Sequence, residues 1–165
     1  MRKLKVYLDT SIINFLFADD SPEYQRITEL FFENVVAKGK IDTYISNVVI
    51  DEIHQTEDQR RRDLLLGIIA KYKNIKILVA ENEILDDIAF LGENYIKSGI
   101  IPEKKTADSF HVAYSTVFQM DILLSWNFKH LANINKEQKI AILNRTLGYN
   151  YPFRMANPLE VYYEE

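Results

Sequence analysis

The sequence has no cysteine in its 165 residues. That excludes disulfides, thiolate metal sites and cysteine nucleophiles, and it makes a cytoplasmic location the expectation. No apolar run approaches the length of a membrane span, and Met1-Arg2-Lys3 leads straight into a predicted strand rather than into the apolar core of a signal peptide. There is no linker rich in proline, glycine or serine, no internal repeat and no low-complexity tract. A P-loop, a G-x-G-x-x-G fingerprint, a G-x-S-x-G elbow and an H-E-x-x-H helix are all missing. The run LDTS around Asp9 lacks the second aspartate, two positions on, that a phosphoaspartate-type phosphatase needs. Positive charge is also short. A net charge of −4 argues against a broad nucleic-acid-coating surface, but not against a local basic rim.

Hydrophobic residues make up 47% and charged residues 27%, an ordinary composition for a globular chain long enough to bury a sizeable core. A single domain is expected over 1–165, with its core in 1–148 and an edge strand plus docked tail in 149–165. Strand-like runs alternate with helical ones. Strands are predicted at Val6-Tyr7-Leu8, Ile41 to Ile45, Ile75 to Val79 and Ile122 to Ser125. A short apolar helix is predicted from Ile12 to Phe17. A longer one is capped by Ser21 with Pro22 behind it, carries Tyr24, Ile27, Phe31 and Val35 on one face, and stops near Gly39. Ser46 can cap a helix carrying Val48, Val49, Glu52 and Ile53. Thr56 with Gln59 reads as a capping box for a helix through Leu64 to Tyr72. Glu83 to Ser98 is the clearest helix, with Ile84, Ile88, Leu91 and Tyr95 at helical spacing and Gly99 beyond its end. Thr106 can cap a helix with Phe110, Ala113, Tyr114 and Val117 inward. Asn135 and Gln138 can open the last helix, which turns Ile140, Leu143 and Leu147 inward and ends at Gly148. The pattern is α/β: a three-layer α/β/α sandwich around a mostly parallel sheet of four to five strands.

Three acidic residues share a context within this pattern. Asp9 ends the first strand, in KVYLDTSII. Glu52 lies on the helix after the second strand, and Asp108 in the first turn of the helix before the fourth. In a parallel sheet, strand C-termini and helix N-termini meet at one rim, which is where open α/β sheets place their sites. Taken singly, Asp9 reads equally as a helix cap, Glu52 as a solvated helix residue with Asp51 its equal, and Asp108 as a first-turn charge. Taken together, they would raise one another's pKa values. The helix dipole, worth roughly 0.3–1 kcal/mol, is too weak to offset that. A divalent cation does offset it, and oxygen-only ligands favour Mg²⁺ or Mn²⁺. Ser125 and Asn127, at the end of the fourth strand, add two oxygen groups at the same rim. His111 and His130 lie nearby without an assigned role. Trp126 and Phe128 read as packing residues, and Asp121 as a turn residue or a neighbour of the metal. Lys104-Lys105 and Arg60-Arg61-Arg62 read as solvated basic groups or, at the rim, as phosphate holders, with the lysines better placed.

The pieces LDTSII, SNVVIDEI, ADSFHVAYST and LLSWNFKHL, in that order, resemble the PIN-domain family and its VapC-like group over roughly residues 4 to 133. NRTLGY and NPLEV resemble the tail of one PIN subgroup. The resemblance implies an endoribonuclease with an acidic Mg²⁺/Mn²⁺ site, often the toxin half of a bacterial toxin–antitoxin pair. It therefore also implies an RNA substrate, an antitoxin partner and a homodimer, for which the helices Ser21 to Lys38 and Thr56 to Tyr72 could supply the surface. Asp9, Glu52 and Asp108 match the first three acidic positions of the family, and Ser11 its small polar position. The fourth position, commonly Asp, is Asn127 here. That departure supports an alternative, a PIN-fold module that binds RNA or protein and cuts weakly or not at all.

Overall fold

The first strand, β1 (Lys5–Leu8), is central because both of its faces are apolar: Val6 and Leu8 enter one layer and Tyr7 the other, all three fully buried. A computed structural model of the chain describes residues 2–161. Strands β2 (Asp42–Ser46), β3 (Lys76–Leu78), β4 (Ile122–Leu124) and β5 (Arg154–Ala156) join β1 in one parallel sheet of order β3-β2-β1-β4-β5. Tyr7 stands opposite Tyr44 on one side and Leu123 on the other.

Seven helices cover the sheet within the described residues: α1 (Thr10–Asn14), α2 (Pro22–Phe31), α3 (Asn47–His54), α4 (Gln59–Lys71), α5 (Asn82–Lys97), α6 (Thr106–Val117) and α7 (Ile134–Thr146). Helices α1 to α4 pack their apolar residues with Val6, Leu8 and Ile45. Helices α5 to α7 pack theirs with Tyr7, Leu123 and Met155. The architecture is the expected α/β/α sandwich. Each fully buried Leu or Ile contributes roughly 1.5–3 kcal/mol, so the two layers carry most of the stability.

The chain runs outward from β1 to β2 and β3, then returns to the other side of β1 for β4 and β5. The crevice beyond the C-terminal ends of β1 and β4 is therefore a topological switch point, where open α/β sheets bind their ligands.

Several local expectations are corrected. The Thr56–Gln59 capping box does not form; Asp58 caps α4 instead, accepting from the Arg60 and Arg61 amides. Asn133, not Asn135, caps α7, accepting from the Lys136 amide. Thr106 does not cap α6, since a 3₁₀ turn over Glu103–Lys105 runs into the helix and the Thr106 hydroxyl bonds back to the Glu103 carbonyl. After α2 the chain widens into a π-helical turn, Phe32–Val36, which rotates the apolar face so that Phe32 and Val36 are buried along with Phe31 and Val35. Helix α6 is buried on more than the expected stripe: Ser109, His111, Ser115 and Thr116 are inside as well. The predicted tail is seen as far as Val161, which packs against the first core layer, and positions 162–165 lie outside the described residues. No described helix is long and apolar enough to cross a membrane.

Asp121 lies in a bend, as a turn residue would, but its reading as a neighbour of the metal is corrected. It lies at the N-terminal rim of the sheet, opposite the acidic residues. There its carboxylate accepts from the Lys5 amide at 2.8 Å, from Tyr151 Oη at 2.7 Å and from the Arg2 guanidinium at 2.8 and 3.0 Å. It ties the starts of β1 and β4 to the segment before β5. The Arg2 bonds, then the Lys5 and Tyr151 bonds, hold its carboxyl far below the usual range against the cost of burial. Arg2 is largely exposed, so the ion pair itself adds little. The bonds to the Lys5 amide and Tyr151 add to what the Arg2 bonds begin. A carboxyl with a depressed folded pKa stabilises above the unfolded pKa of about 4, and that stability is lost as pH falls through the acid range. Asp121→Asn is therefore expected to cost roughly 1–2 kcal/mol at pH 7. Urea unfolding should show the gap from wild type closing below about pH 4.

Candidate functional site

Asp9 directly follows β1, and its amide still bonds to the Leu124 carbonyl of β4. It occupies the N-cap position of α1 with extended backbone, yet its side chain bonds to no helix amide. The capping reading is thereby removed. Ser11 Oγ donates to Oδ1 at 2.5 Å, and Ser125 Oγ donates to Oδ2 at 2.5 Å. Both hydroxyls are themselves held. Ser11 Oγ accepts from the Trp126 amide at 2.9 Å and Ser125 Oγ from the Asn127 amide at 2.9 Å. With 3% exposure, the Asp9 carboxyl is pushed up to about 6. Burial is the main cause and Asp108 adds to it, against the pull of His111 and the two serine hydroxyls.

Ser46 caps α3, accepting from the Val48 amide at 3.2 Å, and so sets the direction in which Glu52 leaves the sixth position of the helix. Glu52 Oε1 accepts from Thr10 Oγ1 at 2.6 Å and bonds to His111 Nε2 at 2.6 Å. Burial alone would raise Glu52, but the bond and charge of His111, the Thr10 bond and Lys105 outweigh it and leave the carboxyl below its usual value. Asp51, equally available in the sequence, is exposed.

Asp108 opens α6 and accepts at Oδ2 from Asn127 Nδ2 at 3.2 Å. Burial first, then Glu52, raise it above the usual range against His111, Lys105 and the Asn127 bond. The carbonyl of Asn127 accepts from the His130 amide at 3.1 Å. Lys104 and Lys105, on the turn before α6, line one open cleft of about 670 Å³ together with Glu52, Asp108 and Asn127. Arg60, Arg61 and Arg62 do not line it. Arg61 and Arg62 donate to the carbonyls of Asn14 and Thr56, and Arg60 lies on a shallow depression of α4. Trp126 packs as expected: it is buried, bonds Thr28 Oγ1 at 2.9 Å and lies tilted against Tyr24 and Phe15, whereas Phe128 is exposed and meets Tyr24 and Trp126 by ring edges only.

Thr10, Tyr7 and His111 are site residues the sequence did not reveal. The only signal was the helical spacing of His111 from Asp108. His111 is fully inside the fold, between Tyr7 and Glu52. Burial lowers its pKa, but the Glu52 bond and the charges of Asp9, Glu52 and Asp108 outweigh that and raise it. His130 is half-buried, and burial, then Lys129, Lys105 and Lys136, lower its pKa. Among the described residues, no three acidic or histidine side chains stand close enough to form a ready-made cation cage. The oxygens of Asp9 are occupied by serines, while Glu52 Oε2 and Asp108 Oδ1 accept no hydrogen bond from the described residues.

No family model matches the sequence, and no curated protein matches it. Solved structures do match in fold. A chain of the VapBC complex of Salmonella typhimurium bound to DNA shares 14% identity at a TM-score of 0.57, over 94% of this chain and 98% of that one. VapBC-1 of nontypeable Haemophilus influenzae gives 13% identity and a TM-score of 0.57 over the same shares, 94% and 98%. VapBC2 of Rickettsia felis, bound to a DNA fragment from its promoter, gives 14% and 0.53 over 92% of this chain and 97% of that one. The chain has the fold found in these VapBC structures, in agreement with the VapC-like PIN resemblance of its four motifs.

Proposed function

We propose that the chain is a Mg²⁺- or Mn²⁺-dependent endoribonuclease and the toxin member of a toxin–antitoxin pair. The observation that carries this reading is Asp9, a carboxyl buried at the switch point, capping no helix and flanked on the same rim by Glu52, Asp108 and Asn127. Its donor set is all oxygen, as a hard divalent cation prefers. Mg²⁺ keeps several waters and takes one or two carboxylates plus substrate phosphates, so a rim without a closed cage suits it. The bound cation would supply an activated water and stabilise charge developing on the scissile phosphate.

The chain's own residues then divide the work. Ser11 and Ser125 fix both oxygens of Asp9, and Thr10 fixes one oxygen of Glu52. Glu52 Oε2 and Asp108 Oδ1 remain open to the cation or to the proton of the attacking water. Asn127 holds Asp108 in place and can lend its carbonyl oxygen. Lys104 and Lys105 hold RNA phosphates at the cleft mouth. The VapBC structures support an antitoxin as protein partner, and a homodimer is part of the same proposal.

The test is a Mg²⁺ and Mn²⁺ titration with cleavage of single-stranded and structured RNA. Wild type should cut only with the divalent ion, and Asp108→Asn should lose at least about 100-fold in rate, the scale of removing one transition-state stabilising group. Tight RNA binding with no cleavage at any metal concentration would favour the second reading, a binding module, for which the neutral Asn127 is the motivating residue.

A further inference from the structure

We infer that His111 is a positioning residue, which, with Tyr7 and Thr10, turns the carboxylate of Glu52 so that one oxygen is left for the cation. The inference rests on the nuclease reading above. A carboxylate only accepts, so His111 Nε2 must donate in its 2.6 Å contact with Glu52 Oε1. That holds whether or not Nδ1 also carries a proton. Thr10 Oγ1 donates to the same oxygen at 2.6 Å. Two donors on Oε1 fix the rotation of the carboxylate, and Oε2 is left without a partner among the described residues.

The imidazole is itself held from behind. Tyr7 Oη lies 2.7 Å from Nδ1 and 2.6 Å from Ser46 Oγ, which accepts from the Val48 amide. Taken in one direction the chain is fully satisfied: Val48 amide to Ser46, Ser46 to Tyr7, Tyr7 to Nδ1, Nε2 to Glu52. Tyr7 and Ser46 are completely buried and His111 is 1% exposed. Buried polar groups must be paired, but pairing alone would be met by a histidine bonded anywhere. This line begins at the cap of α3, passes the central strand at Tyr7 and ends on a carboxylate of the cleft. Outer hydrogen bonds of this kind orient metal ligands, and their loss typically costs 10–100-fold in affinity or activity.

Two substitutions at one position separate positioning from packing. His111→Gln can place an amide N–H near the Nε2 position, whereas His111→Asn reaches only as far as Nδ1. Mn²⁺ binding is read by the rise in melting temperature of metal-free protein as Mn²⁺ is added, and cleavage by kcat and KM on one RNA. His111→Asn should weaken apparent Mn²⁺ binding and kcat by about 10–100-fold with KM for RNA unchanged. His111→Gln should recover most of both. Tyr7→Phe, which keeps the ring and removes the hydroxyl, should fall between them, and it stands in for His111→Asn if that variant does not fold. Equal loss in the Asn and Gln variants, or Mn²⁺ binding unchanged in a folded Asn variant or in Tyr7→Phe, overturns the role of His111 alone. Wild type that neither binds Mn²⁺ nor cleaves overturns the nuclease reading and this inference with it.

Discussion

Asp9→Asn is expected to abolish divalent-dependent cleavage and, in metal-free protein at neutral pH, to make the fold more stable. The two effects have one cause. Asp9 is buried at the end of β1, and burial pushes its carboxyl up to about 6 against the help of His111, Ser11 and Ser125. A carboxyl raised in the folded state favours folding when protonated. Its contribution is therefore lost as pH rises from the unfolded value, near 4, through the folded value, near 6. From 3.8 to about 6 the difference is roughly 3 kcal/mol. Asparagine carries no charge and has nearly the same shape, and Ser11 and Ser125 can rotate their hydroxyls to meet an amide. With chelator present, the variant should gain roughly 1–3 kcal/mol over wild type above pH 7 and almost nothing at pH 4. Mn²⁺ should then raise the melting temperature of wild type but not of the variant, because only a folded-state ligand shifts the equilibrium. Cleavage should fall by at least about 100-fold. A variant less stable than wild type at pH 8 in chelator would make Asp9 a structural anchor and count against the metal reading.

How much of this was legible in the sequence depends on how local the cause is. The run Val6-Tyr7-Leu8 announces a strand buried on both faces, and the structure divides it between two core layers as that pattern requires. Gly99 and Gly148 end α5 and α7 with φ of 78° and 93°, in the region that favours glycine. Cap identity was less readable. Thr56, Asp58 and Gln59 all offer oxygens, and only the path of the chain decides that Asp58 meets the free amides of α4. The π-helical turn after α2 adds a residue to one turn, which no 3.6-residue pattern contains. The acidic rim was legible because each member sits next to an element end that the sequence marks. The line from Tyr7 through His111 to Glu52 was not, because its links join residues 104 and 59 positions apart and depend on α6 crossing the sheet beside α3. Asp121 shows the converse. It adjoins the same strand as Asn127, but at the other end, and a rim is a property of strand direction rather than of proximity in sequence.

Asn127→Asp should move metal binding and metal-free stability in opposite directions. The native amide does two jobs: Oδ1 accepts from the His130 amide, and Nδ2 donates to Asp108 Oδ2 at 3.2 Å. Aspartate keeps the first bond and replaces the second with a like charge at the same separation. Asp108 already lies above the usual range because of burial and Glu52. A second carboxylate raises it further, and both cannot remain charged without cost. Without metal at neutral pH the variant should lose roughly 1–3 kcal/mol, a Coulomb term for adjacent charges at an effective dielectric near 20 less some relaxation. The loss should shrink as pH falls and one of the pair takes a proton. A divalent cation removes that repulsion and gains a charged ligand in place of a neutral one. Mn²⁺ should therefore bind the variant at least about tenfold more tightly, a gain of roughly 1.4 kcal/mol, and cleavage at limiting Mn²⁺ should rise with it. If Mn²⁺ binds more tightly and cleavage at saturating metal also rises sharply, the native site is a weakened nuclease, held back by one missing charge. If binding tightens while saturated cleavage stays the same, three carboxylates suffice for the reaction and Asn127 serves to keep Asp108 in place. Unchanged Mn²⁺ binding would place position 127 outside the cation's reach and sink its assignment as a ligand.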